Sequence, residues 1–195
     1  MPLIIGIVLA GGSSTRFGSD KLVAPYRGQP LLHHAALRLG EVCDEVVVVR
    51  PPGVDGTDLP PGIRTTNDLT AGEGPLAGLH TGLMSAVRAD VVVVVGGDMP
   101  DLRVAVVREM LRVLEEAEVD AVVLAGDGRP RPLPCVLRTW PTADMAHTLL
   151  HAGRRRLRDL IDAMRTAVID EATWMALDPA RRSLFDIDEP DDLRG

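Results

Sequence analysis

The chain of 195 residues is 46% hydrophobic and 25% charged, a composition that excludes a disordered polypeptide and is ample for a buried core. Acidic residues outnumber basic ones 28 to 21, a net charge of -7. That excess argues against a general nucleic-acid surface, although one locally positive pocket can still take a single nucleotide. Two cysteines, Cys43 and Cys135, are too few for a disulfide framework and read as reduced, buried thiols of a cytoplasmic protein. No apolar run reaches the length of a membrane span, and the opening MPLIIGIVLAGG, with no charged leader region, reads as a buried strand.

In chain order, the apolar run Leu3–Leu9 predicts a strand buried on both faces, followed by a glycine- and serine-rich loop over Ala10–Asp20. Pro30–Leu39 predicts a short helix with proline near its first turn, and Glu45–Val49 a second buried strand. Pro51–Gly62, dense in proline and glycine, reads as a surface loop. Pro75–Val87 carries helical spacing at Leu76, Leu79, Leu83 and Val87, and Val91–Val95 is the strongest strand signal. A helix follows over Val104–Ala117 with Asp101 near its start, then a strand at Asp120–Leu124.

This alternation predicts an α/β fold: a three-layer, Rossmann-like α/β/α arrangement around a mostly parallel sheet. Arg131–Arg138, bounded by prolines, predicts an edge or insertion strand. Thr142–Ala152 and Arg154–Met164 read as helices and Ser183–Ile187 as a short closing strand. With no repeat, low-complexity tract or linker, residues 1–195 are expected to form one domain, and monomer is the default.

Ligands of such sheets bind beyond the carboxyl ends of the strands. Two polar segments fall there. The first, Leu9-Ala10-Gly11-Gly12-Ser13-Ser14-Thr15-Arg16-Phe17-Gly18, offers small residues whose N–H groups can approach phosphate oxygens. It can equally be a plain glycine-rich turn. The absence of any Gly-Lys pair excludes a Walker A loop, and the absence of G-x-G-x-x-G argues against a dinucleotide dehydrogenase. Lys21 is the only lysine in an arginine-rich chain. Codon bias explains the arginines, and a site that needs a flexible point charge would explain the surviving lysine.

The second segment, Gly96-Gly97-Asp98-Met99-Pro100, ends the valine strand in a carboxylate. Either a cation such as Mg²⁺ compensates it or it caps the helix beginning near Leu102. Phe185-Asp186-Ile187-Asp188-Glu189-Pro190 can supply a second carboxylate. His147 and His151 lie one helical turn apart without a third ligand and read as a surface pair. His33 and His34 read as ordinary helix residues, and Trp140 and Trp174 as packing aromatics.

LAGGSSTRFGSDK at Leu9–Lys21, GPLAG at Gly74–Gly78, GDMP at Gly97–Pro100 and DIDEPDDL at Asp186–Leu193 together resemble the MobA-like nucleotidyltransferases, most closely the molybdenum cofactor guanylyltransferases. The match runs in the same order over practically the whole chain. The resemblance implies transfer of GMP from GTP to the phosphate of molybdenum-bound molybdopterin, with release of pyrophosphate and Mg²⁺ as cofactor. It implies nucleotide contacts at Leu9, Ala10, Gly11, Gly12, Lys21, Asp68, Gly74, Pro75 and Asp98, metal contacts at Asp98 and Asp188, and catalytic roles for Arg16, Lys21 and Asp98.

The implied partners are GTP, a molybdopterin-type phosphorylated acceptor and other proteins of molybdenum-cofactor assembly, with no nucleic acid and no membrane. The family usually reads N-x-N-x-P where this chain has Asp186-Ile187-Asp188-Glu189-Pro190, and Arg50 stands where guanylyl enzymes carry an asparagine. A CTP-dependent counterpart, transfer to another phosphorylated metabolite, and a non-catalytic nucleotide-binding protein are the alternative readings. For the acceptor, Arg129, Arg131 and Arg138 and the run Arg154, Arg155, Arg156 and Arg158 are candidate anion contacts or a solvated basic face.

Overall fold

The structure is a computed structural model that describes residues 1–11, 21–53, 59–68 and 73–194. The strands of its main sheet are β1 (Ile4–Leu9), β4 (Glu45–Arg50), β5 (Ile63–Asn67), β6 (Val91–Gly96), β7 (Ala121–Gly126), β8 (Arg129–Arg138) and β9 (Thr166–Ile169). They lie in the order β5-β4-β1-β6-β8-β7-β9. Every neighbouring pair is parallel except those made by β8, which is antiparallel to both β6 and β7. Two further strands, β2 (Pro25–Tyr26) and β3 (Gln29–Pro30), form a separate two-stranded hairpin.

The central strands are runs of valine and isoleucine because helices cover both of their faces. α1 (Leu31–Gly40), α3 (Val104–Glu116) and α6 (Glu171–Leu177) pack with Val8, Val48, Val93 and Val95 on one side. α2 (Pro75–Ser85), α4 (Thr139–His151) and α5 (Leu157–Ala163) pack with Ile5, Ile7, Val47 and Val92 on the other. Successive residues of one strand thus feed different cores, which the period of two in a strand requires. Gly82 lets α2 approach the sheet closely, because a Cβ there would sit 2.7 Å from Ile7 Cγ2 and 3.1 Å from Val49 Cγ2.

The predicted α/β/α architecture and the first four strands agree with this arrangement, and α1, α2 and α3 fall within two residues of their predicted bounds. One expectation is resolved and three are corrected. First, of the edge or insertion strand expected at Arg131–Arg138 the structure shows the insertion: the second half of β8, Cys135–Arg138, pairs with β6 and Cys135–Leu137 also with β7. Its prolines lie in the other half, which pairs with β7 alone, and Pro132-Leu133-Pro134 bulges out where the register shifts between Val123 and Leu124. The missing proline N–H groups therefore remove no bond from the doubly paired half.

Second, Ser183–Ile187 is not a strand; a 3-10 turn spans Arg182–Leu184, and Ile187 N bonds to Asp98 O at the sheet rim. Third, the helix expected over Arg154–Met164 is confined to α5, starting at Leu157. Fourth, Trp140 is 60% exposed and packs no core, whereas Trp174 is fully buried with its Nε1 donating to Ala125 O at 2.8 Å.

Candidate functional site

From β1 the chain builds outward through β4 to β5, then crosses back to β6 on the other side of β1. This change of direction brings three strand ends to one rim, the place where open α/β sheets bind ligands. Leu9 lies opposite both Val49 and Gly96 in register. Ala10 N donates to Val49 O at 2.8 Å and Gly97 N donates to Leu9 O at 3.0 Å. Leu9 and Ala10 are buried here, and a Cβ on Gly11 would meet nothing within 4 Å among the described residues. Gly12 and Arg16 lie outside the described residues.

Lys21 starts a 3-10 turn over Lys21–Val23, and its ammonium reaches across this rim. Its Nζ donates to Asp98 Oδ2 at 2.8 Å, to the backbone carbonyl of Ile187 at 2.8 Å and to Asp188 Oδ1 at 3.5 Å. Asp98 follows β6 in a tight turn closed by Met99 N donating to Gly96 O at 3.2 Å. Its carboxylate folds back over Gly96, where a Cβ would collide with Asp98 Oδ1. The C-terminal segment docks on the same turn through Ile187 N, which donates to Asp98 O at 2.9 Å. Asp98 does not cap a helix: the N-cap of α3 is Arg103, with no side-chain capping bond.

Burial alone would lower the pKa of Lys21. The hydrogen bond and charge of Asp98, with those of Asp188, outweigh it and hold the amine above its ordinary value. The opposite pressure falls on Asp186. Loss of solvent, followed by the charges of Asp188 and Asp98, raises its carboxyl pKa, although the side chain keeps access to water. The rim therefore remains electronegative with Lys21 already in place. Asp98 and Asp188 direct hard oxygens toward one point, a donor set that suits Mg²⁺ completed by substrate phosphates and water. Among the described residues, no group of three or more His, Cys, Asp or Glu side chains is arranged to hold a metal by protein ligands alone.

Asp68, Gly74 and Pro75 converge at the start of α2. Asp68 N donates to Arg50 O at 2.7 Å at the end of β5, and Asp68 Oδ1 accepts from Thr81 Oγ1 at 3.1 Å. Gly74 has a φ of 87°, and a Cβ there would lie 2.9 Å from Arg155 O, so the position requires glycine on both counts. Pro75 occupies the first turn of α2, where no N–H is missed. Arg50 is buried at the end of β4, opposite Asn67.

The basic residues divide. Arg138 is removed from this rim by the reversed direction of β8, and it donates to Val119 O at 2.9 Å and Leu114 O at 3.0 Å. Arg155 Nη1 donates to Leu150 O at 2.8 Å, and its own carbonyl accepts from Leu76 N at 3.2 Å. Arg158 Nη2 donates to Pro130 O at 3.2 Å. These three hold backbone together.

Asp101, expected to favour the dipole of α3, is instead buried and accepts from Tyr26 Oη at 2.9 Å and Arg27 Nη1 at 2.8 Å. His147 and His151 are exposed as expected, with ring centroids 4.4 Å apart. His34 Nε2 lies 2.6 Å from Tyr26 O. Sequence reasoning missed the carbonyl of Ile187, which carries no side-chain signature.

A three-layer sheet with a carboxylate–lysine cluster at its strand-order reversal defines an α/β protein of the nucleotidyltransferase class. Residues 6–168 match the MobA-like NTP transferase domain, and the chain belongs to that family. It is 37% identical over 164 residues to a probable molybdenum cofactor guanylyltransferase of Mycobacterium tuberculosis, covering 82% of this chain and 80% of that protein. A protein of the same description from Chloroflexus aggregans is 31% identical over 199 residues, covering 98% and 92% respectively. The fold is shared with molybdopterin-guanine dinucleotide biosynthesis protein A of Archaeoglobus fulgidus, at a TM-score of 0.78 and 22% identity over 97% of this chain and 95% of that one. The protein is accordingly a MobA-like nucleotidyltransferase. No helix among the described residues is long and apolar enough to cross a membrane.

Proposed function

We propose that the protein transfers GMP from GTP to the phosphate of molybdenum-bound molybdopterin, working as a cytoplasmic monomer of one domain and releasing pyrophosphate. The observation that carries the reading is the convergence of Lys21 Nζ on Asp98 and Asp188 at the rim beside Gly11. Relatives described as guanylyltransferases at 31–37% identity support the choice of nucleotide and acceptor.

On this reading the backbone of Leu9, Ala10, Gly11 and Gly12 lines the nucleotide, with Asp68, Gly74 and Pro75 bordering it. Asp98 and Asp188 hold Mg²⁺, which when bound supplies charge neutralisation at the triphosphate. The acceptor phosphate is already anionic near neutral pH and needs no strong base to attack the α-phosphorus. The chain's task is then to position the two substrates and stabilise charge. Lys21 and Arg16 provide positive charge for the departing pyrophosphate.

The test is incubation of the protein with GTP, Mg²⁺ and molybdenum-loaded molybdopterin, with product analysis for the guanine dinucleotide and released pyrophosphate. Product from CTP and none from GTP would replace the guanylyl assignment with a cytidylyl one, which the Asp186-Ile187-Asp188 pattern favours. Product from neither would remove the acceptor assignment.

A further inference from the structure

Beside the rim lies a cavity of about 340 Å³ that no step above uses. It is bounded by the turn joining β7 to β8 and by the chain leading to Asp186 and Asp188, and its lining includes Asp127, Arg131, Arg181, Arg182, Leu184 and Phe185. Its lining carries three guanidinium groups and one carboxylate, and carboxylates just outside it pair with two of the three.

Two of the arginines are held by ion pairs. Arg181 lies 3.3 Å from Glu171 and 3.5 Å from Asp127, and Arg182 lies 3.5 Å from Asp101 and stacks over the Phe185 ring at 5.3 Å. Arg131 differs. It makes no ion pair among the described residues, yet its stem is fixed. At Gly126 a Cβ would be 2.8 Å from Arg131 Cγ and 2.9 Å from Leu184 Cδ1. The glycine thus lets the arginine and the C-terminal segment close together over the strand end. Leu184 and Phe185 lead within two residues to Ile187, whose carbonyl accepts from Lys21. The cavity and the rim are consequently neighbours along one short stretch of chain.

We propose that this cavity is the acceptor subsite, in which Arg131 binds the anionic group of a phosphorylated small molecule and the Phe185 ring with the flanking guanidinium planes packs against a flat heterocycle. The chemistry fits because guanidinium pairs with phosphate through two parallel hydrogen bonds and also stacks on planar rings. The size falls at the lower end of small-molecule pockets. The proposal rests on the nucleotidyl-transfer reading for its name as an acceptor site, and its binding chemistry can be tested apart from it.

The probe is phenyl phosphate, a flat ring carrying a phosphomonoester, titrated calorimetrically into wild type, Arg131→Gln and Arg38→Gln, the last removing a surface guanidinium of α1 that is paired with Glu41. The expected result is about tenfold weaker binding in Arg131→Gln, the loss of one charge-assisted contact, and affinity within about twofold of wild type in Arg38→Gln. GTP binding, measured on the same Arg131→Gln sample, stays at the wild-type value and certifies its fold. With molybdenum-loaded molybdopterin, Arg131→Gln raises the acceptor KM and leaves the GTP KM unchanged. Equal binding of phenyl phosphate by wild type and Arg131→Gln would overturn the proposal, and so would an equal loss of binding in Arg38→Gln. Arg131-dependent binding in a protein that neither binds nor turns over GTP would overturn guanylyl transfer and leave the anion site standing.

Discussion

The ion pair between Lys21 and Asp98 makes a prediction that separates stability from catalysis. The side chains are 16% and 28% exposed, so the pair stands between a surface bridge and a buried one. Exposed pairs contribute about 0–1 kcal/mol, and breaking a fully buried pair costs about 3–5 kcal/mol. Removing one partner here should cost on the order of 1–2 kcal/mol, lowering Tm by about 2–8 °C in a chain of this length.

Lys21→Met and Asp98→Asn should each show this loss, and the double variant should lose less than the sum of the two, since the bond between them is broken only once, while Ile187 O and Asp188 still lose their donor. Activity should behave differently. Pyrophosphate release should fall by about 10²–10³-fold in both single variants, equivalent to about 2.7–4 kcal/mol for a lost charge contact at the reacting centre, and the double variant should not recover it. Differential scanning calorimetry without ligand, beside a pyrophosphate-release assay, reads both quantities. Additive Tm losses in the double variant would refute the coupling. Turnover within threefold of wild type in Lys21→Met would refute the placement of its amine at the triphosphate.

The same amine sets a pH dependence: because its folded pKa is raised, its stabilisation is complete below the ordinary lysine value of 10.5 and is lost as pH climbs through the higher folded one. Melts of wild type and Lys21→Met should therefore differ at pH 7 to 9 and converge in strong alkali. Burial pushes the Cys43 thiol to about 12 and Cys135 upward as well, so native protein should resist alkylation at pH 8 and both thiols should react once urea unfolds it, as mass spectrometry would show. Asp101→Ala strands the buried hydroxyl of Tyr26 and should destabilise by about 1–3 kcal/mol, visible in urea midpoints. Chelation by EDTA should stop nucleotidyl transfer, and added Mg²⁺ should restore it in wild type but not in Asp98→Ala.

Much of this architecture is legible in the residues because burial on both faces fills the middles of β1, β4 and β6 mostly with valine, isoleucine and leucine. β5 is not: Ile63-Arg64-Thr65-Thr66-Asn67 pairs on one side only and is half-exposed, so neither an apolar run nor strict alternation marks it. β8 is legible as a strand despite its prolines, but the bulge that accommodates them is a property of its pairing with β7. A local signal did exist at Asp127-Gly128, whose φ angles of 53° and 72° suit a two-residue hairpin turn between β7 and β8. For the site, Lys21 and Asp98 stand out as a lone lysine and a carboxylate closing a buried strand. Their contact with Ile187 and Asp188 spans sequence separations of 166 and 167 from Lys21, and no local pattern encodes it.

The geometry also gives a reason for the lone lysine. Asp98 Oδ2, Ile187 O and Asp188 Oδ1 converge on one nitrogen from different directions. An ammonium has three hydrogens disposed around a point and can serve all three, whereas a guanidinium spreads its donors in a plane several ångströms across. Arginine at this position would satisfy one carboxylate well and push the C-terminal segment away. The same bonds make Lys21 a clasp: together with Ile187 N on Asp98 O, it ties the end of the chain to the turn after β6. Neutralising the rim and docking the segment that carries Asp188 are thus a single interaction. A Lys21→Arg variant should accordingly lose order in residues 186–188 as well as activity, measured as faster amide hydrogen exchange there. Unchanged protection in that segment would mean that charge alone, and not the tetrahedral geometry of the amine, fixes the choice.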